Sequence, residues 1–161
     1  MKRLIVVLLL SGVVIAATAA GYRLLRQDRI AYRQAESCYA QRDYGRAALL
    51  YGQALDAGLV KPDLYPRLAF SLLMSGQPER ALALYRLRLK GHAQRLDDVV
   101  TLADGFSRTG HPAEAREIYL FAIDQHPGVR SLRIGLARAL VRAGSLEEAV
   151  AIYKQVLGES P

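Results

Sequence analysis

The chain has 161 residues, which is room for one domain of ordinary size, and 52% of them are hydrophobic while 23% are charged. That composition excludes a wholly disordered polar chain, and the single cysteine excludes an internal disulfide and argues against a thiolate metal cluster. The formal net charge of +7 favours an anionic membrane surface or an acidic partner, with a solvated arginine-rich exterior as the alternative.

The N-terminal segment is apolar. No charged residue occurs from Leu4 to Tyr22, and as an α-helix this run would be roughly 28 Å long, close to the hydrocarbon thickness of a bilayer. The residues that close the run are basic: Arg23, Arg26 and Arg29. We interpret residues 1–22 as a single membrane anchor. A signal peptide cleaved near the small residues Ala17-Thr18-Ala19 is the open alternative.

Two features of the sequence bear on the orientation of this segment, and they point in opposite directions. More basic residues follow the segment than the Lys2-Arg3 pair that precedes it, and that count favours a cytoplasmic position for the rest of the chain. A very short basic start before an apolar run is instead typical of export. We therefore expect a single-pass membrane protein with its remaining domain on the periplasmic side.

The rest of the chain repeats with a period of 34 residues. Three columns of identical residues carry the repeat: Ala35, Ala69, Ala103 and Ala137; Ala47, Ala81, Ala115 and Ala149; and Tyr51, Tyr85, Tyr119 and Tyr153. A glycine column at Gly76, Gly110 and Gly144 has Arg42 in the first unit. The sequence thus divides into residues 1–22 and a domain of residues 23–161, with units at about 28–60, 61–94, 95–128 and 129–161.

Each unit reads as two helices. In the second helix apolar residues recur one turn apart, as Ala115, Ile118, Tyr119 and Ala122 do, and this spacing is typical of an amphipathic helix. Pro78 and Pro112 suit the first position of such a helix, and the glycine column suits the end of the helix before it. We predict first helices at about 27–41, 62–75, 97–109 and 130–143.

This pattern resembles the tetratricopeptide repeat, and the resemblance covers residues 28 to 161. Unit three carries it most clearly, in Leu102-Ala103, Gly110, Ala115, Tyr119, Ala122 and Pro127. The resemblance implies an all-α protein, a right-handed α-solenoid of four helix-turn-helix repeats, to which the N-terminal run adds one transmembrane helix.

Members of that family are usually scaffolds whose first helices line a concave groove. The resemblance implies these groove residues: Tyr32, Glu36 and Tyr39 in unit one; Phe70, Leu73 and Met74 in unit two; Asp104 and Arg108 in unit three; Arg138 and Arg142 in unit four. Such a groove is apolar in its first half and basic in its second half. It would suit a protein partner, through a peptide segment or helix with an apolar and an acidic part, and the alternative is a solvated inner face.

The last helix offers a second candidate surface. Repeat arrays normally finish with a polar capping helix, and the final unit here carries apolar Ala149, Tyr153 and Val156. A partner or a second copy of the chain could stack on this edge and form a homo-oligomer. The alternative is that the unit's own first helix covers these residues.

No pattern of catalytic or ligand-binding chemistry occurs in the sequence. The three histidines lie far apart, and no metal-ligand spacing, nucleophile motif or phosphate loop is present. We therefore predict no catalytic residue, no cofactor and no metal. Nucleic acid is also disfavoured as a partner, because the basic residues are dispersed among acidic ones.

These patterns together predict a membrane-anchored scaffold or adaptor. A chain of this plan resembles accessory or assembly factors of bacterial envelope complexes, of the secretion, pilus, polysaccharide-export or cytochrome-maturation type, and the resemblance implies such a setting. The alternative is a periplasmic protein, its signal peptide removed, that binds a peptide or partner.

Overall fold

A computed structural model describes residues 27–90 and 95–158. The predicted anchor at residues 1–22 lies outside these ranges. Within them the chain forms eight α-helices and no strand. The helices are α1 (Gln27–Ala40), α2 (Tyr44–Asp56), α3 (Leu64–Met74), α4 (Pro78–Leu84), α5 (Leu96–Arg108), α6 (Pro112–Gln125), α7 (Arg130–Ala143) and α8 (Leu146–Gly158), and a π-helical turn at Tyr85–Leu89 extends α4.

The helices pair in sequence order, as the 34-residue period predicts. Within each unit the first helix packs against the second, so that α1 contacts α2, α3 contacts α4, α5 contacts α6 and α7 contacts α8. Consecutive first helices are also in contact from unit two onward, α3 with α5 and α5 with α7. The four predicted first helices are confirmed, with ends that differ from the prediction by at most two residues. The result is an all-helical solenoid.

The turn inside each unit places one residue in the left-handed region. Gly76, Gly110 and Gly144 have φ values of 79°, 87° and 80°, as their column predicts. Glycine suits this position because it has no Cβ to clash with the backbone. Arg42 takes the same conformation in unit one, with φ 61°, although it carries the steric cost of a side chain.

Different residues start the second helices. Pro78 and Pro112 each occupy the first turn of their helix, where the missing N–H donor costs nothing. Unit one instead uses Asp43, whose carboxylate accepts a hydrogen bond of 3.2 Å from the backbone N–H of Arg46.

The repeated columns form the core. Every alanine of the two alanine columns is buried, and this lets the backbones of paired helices approach closely. Tyr51, Tyr85 and Tyr119 are also buried, and the ring of Tyr119 packs against Gly135 in the following unit. Because each unit leaves an apolar face for its neighbour, stability comes from stacking rather than from any unit alone.

We find no helix within residues 27–90 and 95–158 with the length and apolar character needed to cross a bilayer.

Candidate functional site

The predicted groove residues all lie on the first helices α1, α3, α5 and α7. The structure buries Tyr32, Phe70 and Leu73, whereas the side chain of Met74 is 40% exposed. Phe70 and Leu73 pack toward Gly105 on α5, where an added Cβ would come within 2.9 Å of Leu73 Cδ2 and 3.2 Å of Phe70 Cε2. These two side chains therefore join units two and three, and their predicted contact with a ligand stays a prediction.

An aromatic cluster lies where units one and two meet. The ring centroids of Tyr39 and Phe70 are 6.0 Å apart, and the ring of Tyr44 is 5.6 Å from Tyr39 and 5.7 Å from Phe70. Tyr44 is the first residue of α2, whereas the groove residues implied by the family resemblance lie on first helices alone. The Arg67 guanidinium lies 5.1 Å from the Tyr39 ring, within the range of a cation–π interaction.

Acidic residues on two first helices accept hydrogen bonds from the tyrosine column. In unit one the hydroxyl of Tyr51 donates to Glu36, and Glu36 Oε2 lies 3.1 Å from Nη1 of Arg67 on the next first helix. Arg67 belongs to this inner surface, and sequence reasoning missed it.

Unit three repeats the same arrangement with other residues. Tyr119 donates to Asp104 at 2.7 Å, and Asp104 Oδ2 lies 3.5 Å from Nη2 of Arg138. In both units the acid is fifteen positions before the tyrosine, and an arginine of the following first helix neutralises it.

These contacts raise the pKa of the tyrosine hydroxyls. Burial raises the pKa of Tyr119 well above its ordinary value, and the hydrogen bond to Asp104 raises it further. Burial and the bond to Glu36 raise the pKa of Tyr51 in the same way. Both phenols are therefore neutral donors at physiological pH.

Fewer basic residues of the predicted groove lack an acidic partner than the sequence predicts. Asp104 neutralises Arg138, whereas Arg108 and Arg142 are exposed and have no ion pair in the described part of the chain. Arg142 makes one hydrogen bond of 3.2 Å, to the neutral hydroxyl of Ser107. Of the basic residues in the predicted groove, Arg108 and Arg142 are thus the two without an acidic partner among the described residues.

One set of equivalent positions changes from an apolar residue to basic residues along the stack of repeat units. Met74, Arg108 and Arg142 occupy equivalent positions near the ends of α3, α5 and α7, each 34 residues after the last. All three side chains are exposed. An extended ligand that follows the stack would meet a thioether first and two guanidinium groups after it.

The C-terminal edge differs from its predicted form. Ala149 and Val156 are buried, which agrees with the alternative in which the unit's own first helix covers them. Tyr153 is partly exposed, and the exposed apolar residues of α8 are Leu146, Val150 and Leu157. The reason is register, because Ala149 and Val156 lie on the buried face of α8, whereas Leu146, Val150 and Leu157 lie roughly a quarter turn around the helix from it. Stacking of a partner or second copy on this edge stays a prediction.

Comparisons with known proteins agree with this architecture. A family model described as "Tetratrico peptide repeat" matches residues 28–129, and one described as "Tetratricopeptide repeat" matches residues 100–161. Comparison with curated protein sequences gave no significant match.

Solved structures of two proteins share the fold. MamA MSR-1 C2 has a TM-score of 0.58 at 17% identity, with 83% of this chain and 76% of that chain covered. YrrB, described as a TPR protein with an unusual peptide-binding site, has a TM-score of 0.56 at 16% identity, with 91% and 81% covered. MamA AMB-1 P212121 has a TM-score of 0.56 at 20% identity, with 80% and 76% covered. With a family model matching well over half of its length, the chain belongs to the tetratricopeptide repeat family.

Proposed function

We propose that this protein is a membrane-anchored protein–protein interaction scaffold that binds an extended segment or helix of a partner along its first helices. The observation that carries the proposal is the exposed column of Met74, Arg108 and Arg142, which changes from apolar to basic along the stack. The matching partner segment has an apolar part and an acidic part. The description of YrrB as a peptide-binding protein of similar fold supports this choice of ligand.

Labelled peptides test this binding surface. The probes are a fluorescent peptide with leucines in one half and aspartates in the other, in both orders, and matched peptides with asparagine for aspartate. We expect the full chain, in lipid nanodiscs, to bind an aspartate peptide more tightly in fluorescence anisotropy. Charge-assisted hydrogen bonds are worth about 1.5–3 kcal/mol, so R108A/R142A should weaken binding at least about tenfold.

The matched control is R46A/R80A. Arg46 and Arg80 are exposed and occupy equivalent positions of the second helices, so their removal changes the net charge equally. We expect this control to bind like the unsubstituted chain. Equal losses of affinity in both double variants would mean that only the net charge of the protein matters, and they would contradict the proposed site. An asparagine peptide that binds as tightly as the aspartate peptide would also contradict it.

We infer the membrane setting from the apolar run of Leu4 to Tyr22 and the arginines that follow it. In this setting the repeats present partner proteins at a membrane as an accessory or assembly factor of a bacterial envelope complex, without catalysis. A phosphatase that is active only after export, fused after Pro161, tests the expected periplasmic position. Activity on a full-length, membrane-bound chain supports it, and activity only of a cytoplasm-dependent fluorescent fusion refutes it.

The second candidate function is a periplasmic partner-binding protein without an anchor, which the small residues Ala17-Thr18-Ala19 favour. Cleavage there removes a segment of ordinary signal-peptide length, with a mass of about two kilodaltons. The apparent mass of the mature protein in membrane and soluble fractions therefore separates the two functions.

A further inference from the structure

The last described helix, α8, carries an exposed apolar stripe. Its residues are spaced by four, three and four positions along one side of the helix: Leu146, Val150, Tyr153 and Leu157. Leu146, Val150 and Leu157 are 59%, 50% and 67% exposed, and Tyr153 is partly exposed. Two helices that pack side by side in a coiled coil use this spacing, so the stripe suits another helix as its cover.

The stripe includes part of the face on which repeats stack. In unit three the equivalent tyrosine, Tyr119, is fully buried, because its ring packs against Gly135 of the following unit. No following unit lies among the described residues to cover Tyr153 in the same way. The stripe is also more apolar than its counterpart, since Val150 replaces the exposed Arg116 of unit three.

The other end of the stack does not match this stripe. Arg33 of α1 is equivalent to Gly135, which receives the ring of Tyr119, and Gln34 is equivalent to the buried Leu136. Both α1 side chains are exposed. Burial of a charge and an amide against an apolar stripe is costly when they have no partner there. Stacking of copies head to tail, α8 on α1, is therefore disfavoured.

Two charges beside the stripe indicate its occupant. Glu147 and Lys154 each follow a stripe residue directly, so they lie along the same border of the stripe. Both are exposed, and neither forms an ion pair among the described residues. Seven residues span about 10.5 Å along a helix, so these two side chains are too far apart to pair with each other.

A second copy of α8 provides the missing partners when it lies antiparallel. Glu147 of each helix then faces Lys154 of the other, which gives two ion pairs across one two-fold axis. In a parallel pair each charge would instead meet the opposite border of the stripe. The residues of that border, Ala149 and Val156, are buried and uncharged.

We propose that two copies of this chain associate through an antiparallel pair of α8 helices, with their apolar stripes in contact and Glu147 of each copy paired with Lys154 of the other. Because α8 is only about 20 Å long, the interface is smaller than the roughly 800 Å² per partner of a standard complex, and the dimer is weak. Unfolding of dilute protein therefore measures the monomer, in which Glu147 is unpaired.

Sedimentation equilibrium of the full chain, in detergent matched to the solvent density, measures the association. We expect the unsubstituted chain to form a reversible dimer. V150E places a carboxylate in the stripe and should weaken the dimer at least about tenfold. The matched control is L120E on α6, because Leu120 is 45% exposed, lies outside the stripe and undergoes the same change of charge. This control should dimerise like the unsubstituted chain.

A charge exchange tests the antiparallel arrangement with residues that are exposed in the monomer. E147K and K154E each place like charges opposite one another and should weaken the dimer at least about threefold. The double variant E147K/K154E restores opposite charges with their positions exchanged, so its dissociation constant should return to within about twofold of the original. Circular dichroism checks that each variant keeps its helical content.

The outcomes do not depend on the peptide-binding column, because none of these variants changes Met74, Arg108 or Arg142. Loss of the dimer in V150E but not in L120E, together with rescue by the double variant, supports the proposal. A chain that stays monomeric at every concentration overturns it. A dimer that V150E leaves intact, as association through another segment would give, overturns it as well. Failure of E147K/K154E to restore the affinity refutes the antiparallel pair.

Discussion

Tyr119 and Tyr85 occupy the same position in consecutive repeats, yet their surroundings are opposite. The hydroxyl of Tyr119 donates to Asp104, and its ring lies so close to Gly135 on α7 that an added Cβ would come within 2.5 Å of it. Among the residues that the structure describes, Tyr85 has no hydrogen-bond acceptor, and it adjoins a cavity. The junction of units three and four is therefore closed, and that of units two and three is partly open.

The difference arises from side chains rather than from the length of the repeat. The position of Gly135 is taken by Thr101 in the preceding unit, and Thr101 is exposed and donates its hydroxyl to the backbone carbonyl of Asp97 in its own helix. The acid of unit three is replaced by a phenylalanine in unit two. The alanine and tyrosine columns thus determine the stacking of the units, and the residues around each tyrosine determine how tightly a junction closes.

The largest expected effect on stability comes from adding a methyl group next to the ring of Tyr119. Gly135→Ala places a methyl group against a buried ring that has no room to move. Overpacking of this kind costs about 1–3 kcal/mol, so we expect a loss near 2 kcal/mol in the free energy of unfolding measured with urea.

The matched control is Gly52→Ala, on α2. A Cβ at Gly52 meets no atom of the described residues within 4 Å, so the substitution should stabilise the protein by about 0.5–1 kcal/mol through helix propensity. If both glycine variants were equally stable, the tight junction of units three and four would not exist in solution.

The two tyrosines should respond differently to loss of the hydroxyl. Tyr119→Phe removes a hydrogen bond to Asp104 and should lower the free energy of unfolding by about 1–2 kcal/mol. Tyr85→Phe removes a hydroxyl that has no partner within residues 27–90 and 95–158, and it should be neutral or stabilising by up to about 1 kcal/mol. Urea unfolding of both variants measures the difference, and equal losses would mean that Tyr85 has an acceptor in solution.

A substitution in unit one tests whether equivalent positions of the repeats have equivalent backbone conformations, and its expected effect on stability is smaller. Arg42 holds the left-handed conformation that glycine holds in the other units. Arg42→Gly removes the steric cost of that conformation and should stabilise the protein by about 1 kcal/mol. Arg46→Gly, inside α2, should instead destabilise it by about 1 kcal/mol, because glycine is a poor helix former. Thermal unfolding distinguishes the two, and a loss of stability in Arg42→Gly would contradict the equivalence.

Sequence reasoning succeeded where one helix carries the signal by itself. The spacing of alanine and tyrosine predicts the helix faces, and Pro78 and Gly76 predict where helices begin and end. It missed contacts that depend on how two helices cross. The bond from Tyr51 to Glu36 and the contribution of Arg67 belong to this class, as does the π-helical turn after α4, which no column of the repeat predicts.

The smallest effect concerns the ion pair across the open junction. Arg86 Nε lies 3.1 Å from Glu117 Oε1, and hydrogen bonding from Arg86 holds the pKa of Glu117 below its ordinary value of 4.5. A carboxylate with a lowered pKa contributes stability that is present above its unfolded value and is lost as pH falls through its folded value. We therefore expect Glu117→Gln to be less stable than the unsubstituted chain at pH 7, and the difference to shrink as pH falls below 4.5.

The control for this last variant is Glu147→Gln, since Glu147 has no ion pair within the described ranges. Its effect should be smaller than that of Glu117→Gln at pH 7. High salt should also reduce the effect of Glu117→Gln, because both partners of the pair are partly exposed. A difference that stayed constant from pH 7 to pH 3 would contradict the ion pair. The contacts between α3 and α5 would then hold units two and three together without help from the second helices.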